Sequence, residues 1–114
     1  MNHQLAEIIV LFKLGDLFER YDLKLLADRM TRAITNVGMR WVRPQGDFHY
    51  QINVDGSLSN QDYSTLTYND LYELQALLEK NYSYRNPVLD EMMAAKLQWM
   101  IRNGVSDYLG AEEQ

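Results

Sequence analysis

Residues Asp47 to Ser57, DFHYQINVDGS, narrow the folds open to this chain more than any other stretch. Phe48, Tyr50, Ile52 and Val54 alternate with Asp47, His49, Gln51 and Asn53. A side-chain period of two sets the apolar members on one face of a strand and the polar members in water. Asp55-Gly56 follows directly, and this pair favours a type I′ hairpin turn, which needs positive φ at both central positions. Met39 to Arg43, centred on Trp41 and Val42, reads as a short preceding strand, with Pro44-Gln45-Gly46 turning between the two. A third strand starting at Ser57 and reaching Ser59 or beyond completes a three-stranded antiparallel meander. Such a sheet requires helices against one face.

The flanks supply those helices. Leu5, Ile8, Ile9 and Phe12 share one side of a helix over residues 4–14. Gly15 loosens the chain, Asp16 is placed to cap a new turn with Glu19 reaching back, and a short helical piece covers 17–21. Residues 23–37 form a longer amphipathic helix. Leu23, Leu26, Ala27, Met30, Ala33, Ile34 and Val37 are its buried stripe, and Gly38 stops it. Leu25 falls among the charges of its opposite side.

Further on, Thr67 and Asp70 have capping-box spacing, and Leu66 with Leu71 fit a hydrophobic staple. Leu71, Leu74, Leu78 and Tyr82 form the stripe of the helix that follows. Asn86-Pro87 opens the last helix, asparagine as N-cap and proline in the first turn. Asp90 and Glu91 suit its positive end, and Asn103-Gly104 closes it. Val88, Leu89, Met92, Met93, Leu97, Trp99, Met100 and Ile101 make its apolar arc unusually wide. The expected architecture is therefore one α+β domain over residues 1–109. It has N-terminal helices, the central meander and a C-terminal helical hairpin, with an acidic flexible tail at 110–114.

Composition limits function. The 114 residues contain no cysteine, so disulfides, thiolate metal sites and thiol catalysis are excluded, and a cytoplasmic location is expected. The apolar run from Ile8 to Phe12 is hemmed in by Glu7, Lys13 and Asp16 and is too short to span a bilayer. The net charge of −5 is unevenly distributed. Residues 1–43 carry seven basic and five acidic side chains, whereas 44–114 carry four and eleven. Overall acidity opposes nonspecific binding to phosphate backbones.

The candidate chemistry is sparse. Gln51, Asn53, Asp55, Gly56, Leu58 and Asp62 partly follow the spacing of a calcium-binding EF-hand. The first ligand is poor, however, and the flanks read as strand, so a hairpin explains the same residues. His49 and Asp47 share a strand face without a nucleophile at any familiar spacing. No cofactor, metal site or enzymatic activity is expected.

Two readings of function remain. The favoured one is a small acidic regulator or inhibitor that binds another protein, with the composition of inhibitors encoded by phages and mobile elements. It is expected to pair with itself as a homodimer through Leu25, Met93, Leu97, Met100 and Ile101. The alternative is a winged-helix-like nucleic-acid-binding protein. There the 23–37 helix and the 39–54 hairpin present Lys24, Arg29, Arg32, Arg40 and Arg43.

Overall fold

The computed structural model describes residues 2–41 and 64–110, and these form four α-helices and one short 3₁₀ turn. Helix α1 spans Asn2–Leu17, α2 spans Tyr21–Val37, the 3₁₀ turn spans Gly38–Trp41, α3 spans Ser64–Tyr82 and α4 spans Pro87–Arg102. Helix α1 lies between α2 and α3, α3 packs on α4, and the 3₁₀ turn touches both α2 and α4. The fully buried Leu5, Ile8 and Phe12, with Ile9, place α1 at the centre of the core, on the side its spacing predicts. Each such side chain contributes roughly 1.5–3 kcal/mol of burial.

The α+β expectation is overturned. Among the described residues there is no strand, and the architecture there is all-helical. Met39 to Trp41, expected to begin the meander, instead continue the 3₁₀ turn started at Gly38. The reason is visible in Gly38 and Trp41, which are both buried. Residues three apart share a side in a 3₁₀ turn but face opposite ways in a strand. The alternating stretch at 47–54, the Asp55-Gly56 corner, the calcium-like loop and the His49–Asp47 pair lie outside the described residues.

Three further expectations shift. Gly15 does not break the first helix, because α2 starts against it. A Cβ there would lie 2.7 Å from Lys24 Cγ and 3.1 Å from the Arg20 carbonyl oxygen. Asp16 is accordingly no N-cap but the partner of Lys24, at 2.6 Å. Helix α1 ends in a Schellman arrangement, with Glu19 in the left-handed region (φ 53°) and Arg20 N–H donating to the Gly15 carbonyl at 2.9 Å.

Helix α3 begins at Ser64, three residues before the expected cap. Thr67 is thus buried inside the helix, and exposed Leu66 forms no staple with buried Leu71. On α2 the buried stripe is Ala27, Thr31 and Ile34, leaving Leu26 and Ala33 exposed at its margin. Thr31 is accommodated because its hydroxyl donates to the Ala27 carbonyl at 2.8 Å.

The end of α2 and the start of α4 match the sequence reading. Gly38 caps α2 at φ 58°, its N–H donating to the Ile34 carbonyl. Asn86 Oδ1 accepts from the N–H groups of Val88 and Leu89 at 2.9 and 3.2 Å, with Pro87 in the first turn. Asn103 and Gly104 (φ 72°) follow its last turn. Beyond α4 the chain folds back on α3. Tyr108 meets Tyr68 edge-on at 5.4 Å, and Leu109 N–H donates to Asn69 Oδ1 at 2.9 Å.

Candidate protein-contact surface

Helix α1 carries two apolar faces. Opposite its core stripe, Val10, Leu14 and Leu17 recur at i, i+4 and i+7, and all three are exposed. Phe18 extends this stripe into the turn, and Tyr21 and Leu25 continue it one turn apart on α2. Leu17 is 73% exposed, Phe18 64%, Tyr21 79% and Leu25 58%, so the corner between α1 and α2 presents large apolar side chains to solvent. Single exposed leucines are ordinary, whereas a run of aromatic and aliphatic residues at one corner is a candidate contact surface.

The charges beside this corner are matched within the chain. Arg20 forms a two-pronged pair with Asp22, Nε to Oδ1 at 2.8 Å and Nη2 to Oδ2 at 2.6 Å. Lys24 Nζ lies 2.6 Å from Asp16 Oδ1 and 5.7 Å from the centre of the Tyr21 ring. Asp16 also accepts from Asn81 Nδ2 at 3.3 Å and has Lys80 Nζ at 3.7 Å, which ties the corner to α3. The Lys24 hydrogen bond, outweighing burial, holds the Asp16 carboxyl below the usual carboxylate range. Asp16, Glu19, Tyr21 and Lys24 line a polar cleft of about 400 Å³ beside the apolar run.

The structure does not gather the five expected contact residues into one surface. Met93 and Met100 are buried in the core, and Leu97 is half-buried against it. Leu25 is exposed at the α1–α2 corner, and Ile101 is exposed on α4, which packs on α3 and the 3₁₀ turn. The wide arc of α4 is largely explained by burial against α3 and the 3₁₀ turn. Leu89, Met92, Met93, Lys96 and Met100 are all buried along it. Lys96 sits in that stripe with its Nζ 5.6 Å from the centre of the Trp99 ring, a cation–π distance.

The basic set of the nucleic-acid reading is dispersed as well. Lys24 is bound to Asp16, and Arg32 lies 3.0 Å from Asp28 one turn away. Arg29 is exposed on α2, Arg40 lies on the 3₁₀ turn, and Arg43 is outside the described residues. The hairpin proposed as a wing begins in the 3₁₀ turn and otherwise falls outside them.

Sequence reasoning missed Leu14, Leu17, Phe18 and Tyr21 as a surface, although the spacing of Val10, Leu14 and Leu17 was legible. The stronger core stripe of the same helix masked it. Among the described residues no group of three or more His, Asp or Glu side chains is placed to hold a metal ion. No described helix is long and apolar enough to cross a membrane. In comparisons with protein-family models, curated proteins and solved structures, nothing matches the chain.

Proposed function

We propose that the protein is a small acidic regulator or inhibitor that acts by protein–protein contact through the α1–α2 corner, and that its immediate partner is a second copy of itself. The observation that carries this reading is the exposed run Leu17, Phe18, Tyr21 and Leu25, flanked by ion pairs closed within the chain. A two-fold pairing sets the same patch against itself, so the patch must be self-complementary. Apolar and aromatic side chains satisfy that condition. So do charges neutralised by their own neighbours, since Arg20–Asp22 and Lys24–Asp16 are paired, with Lys80 and Glu19 offsetting one another in the local sum. The net charge of −5 makes copies repel one another, so pairing requires a patch whose local charges are balanced, as they are at this corner.

Light scattering with sedimentation tests the proposal. The expected mass is twice 13.4 kDa, falling to 13.4 kDa for Leu17→Asp and Tyr21→Asp with the unfolding midpoint preserved, because both side chains are exposed. A wild-type monomer at about 1 mM, where a contact worth about 4 kcal/mol is already populated, contradicts self-pairing.

A further inference from the structure

Residues 105–110 leave the end of α4 and run back over α3 without a helix or strand of their own. Val105 anchors the near end, its N–H donating to the Met100 carbonyl at 2.9 Å and its side chain packed against the core. Ser106 and Asp107 follow, both exposed. The far end is attached to one face of α3. Tyr108 sets its ring edge-on to Tyr68 at 5.4 Å, and Leu109 N–H donates to Asn69 Oδ1 at 2.9 Å. Gly110 lies close on Tyr72, since a Cβ there would come 3.3 Å from Tyr72 Cε2.

Tyr72 is the i+4 neighbour of Tyr68 and the i+3 neighbour of Asn69, so the three side chains share that face. The rings of Tyr68 and Tyr72 are themselves 6.3 Å apart. Tyr68 is 4% exposed, and burial pushes its hydroxyl above the usual tyrosine range, with Tyr108 adding to the effect. The helix beneath is fixed by other groups, the fully buried Leu71 and Leu74 and the Gln75 amide. A terminal segment held by a ring pair, a hydrogen bond and a close backbone approach opens at a lower free energy than a helix with a buried core stripe.

We propose that residues 106–110 are a releasable strap, which opens about Ser106 and Asp107 as one unit while the helices stay folded, and which in opening uncovers an aromatic groove on α3 formed by Tyr68, Asn69 and Tyr72. Closed, the strap withholds these rings from other molecules. Open, it adds them to the surface, beside an amide oxygen that has lost its main-chain donor. None of these groups belongs to the α1–α2 corner, so the device stands whether or not that corner pairs.

The test combines hydrogen exchange of the ¹⁵N-labelled full chain with the initial rate of Tyr68 nitration by tetranitromethane. The Leu109 amide is expected to be protected roughly 100-fold less than the Leu74 amide in α3, and to exchange at a rate that low urea leaves unchanged while exchange at Leu74 accelerates. Two variants then weaken the strap from different sides. Asn69→Ala removes the acceptor without weakening α3, since alanine is the better helix former. Gly110→Ala sets a methyl group against Tyr72 at a φ of 81°. Each should speed Leu109 exchange and Tyr68 nitration by the same factor, about tenfold, the scale of one hydrogen bond. A Leu109 amide as protected as Leu74, with the same urea response, overturns the proposal, because the strap then opens only with the whole fold. Fast Leu109 exchange with Tyr68 nitration unmoved by either variant also overturns it, because a frayed end would then uncover no groove.

Discussion

Gln75 holds the backbone of Asn86 by both of its peptide groups. Gln75 Nε2 donates to the Asn86 carbonyl at 2.8 Å, and Asn86 N–H donates to Gln75 Oε1 at 3.0 Å. The same Nε2 reaches Asp90 Oδ1 at 2.8 Å, so one buried amide on α3 fixes both the cap and the first turn of α4. Arg85 encloses this junction from outside, bonded to Glu79 at 2.9 Å and to Asp90.

Gln75→Leu therefore leaves the Asn86 N–H without its Gln75 acceptor and the Asn86 carbonyl with the Asp90 N–H alone, in a part-buried position. It is expected to lower the unfolding free energy by about 2–3 kcal/mol, measured by urea denaturation. Gln75→Glu is expected to be at least as damaging at neutral pH. It removes both donors and sets a carboxylate against Asp90, and lowering the pH should restore part of the loss.

The link between α1 and α2 predicts two changes of opposite sign. Glu19→Gly relieves a Cβ at φ 53° and should stabilise the protein by roughly 0.5–1 kcal/mol, less whatever extra chain entropy glycine loses on folding. Gly15→Ala puts a methyl group 2.7 Å from Lys24 Cγ and should destabilise by about 1–3 kcal/mol. Thermal unfolding with both variants checks whether α2 starts where the Schellman closure sets it.

Stability should depend on pH through two carboxylates with opposite slopes. Asp16 has a lowered native pKa owing to Lys24, so its contribution is present above the ordinary carboxylate range. That contribution disappears as pH falls through the native value. Asp16→Asn should then cost about 0.5–1 kcal/mol at pH 7, the scale of a partly solvated pair, and little in acid. Asp70 has a raised native pKa, chiefly from burial and secondarily from Glu73. Its contribution is full at low pH and is lost as pH rises through the native value. Asp70→Asn should therefore stabilise at pH 7 and make no difference well below about pH 4. Denaturant midpoints measured across that range decide both signs.

The helices were legible in the sequence wherever one face alone was apolar or a cap was chemically specific. Asn86-Pro87 and Asn103-Gly104 bound α4 as their chemistry dictates, and Leu5, Ile8, Ile9 and Phe12 are the core face of α1. Local pattern failed where tertiary contact overrode it. Gly15 reads as a helix breaker, but close approach to Lys24 keeps it inside α1. Met39 to Arg43 read as strand because Trp41 and Val42 favour sheets, yet burial of Gly38 together with Trp41 selects a tighter turn over 38–41. Lys96 and Thr31 were passed over because such side chains are not expected to be buried, and Thr67 was read as a cap although it is buried inside α3. The expected contact residues on α4 reflect the same confusion. Apolar width on α4 reflected its depth in the core, and the truly exposed apolar run lay on the far side of α1.

The absence of cysteine allows the central proposal to be tested by single-site cross-linking. Phe18→Cys and Leu25→Cys each place one thiol on the α1–α2 corner, while Glu91→Cys places one on the exposed side of α4. Under mild oxidation the account predicts disulfide-linked dimers for at least one of the two corner variants at protein concentrations where the Glu91→Cys variant remains monomeric. Equal, slow cross-linking of all three would contradict it, because the corner would then meet a second copy no more often than any other part of the surface.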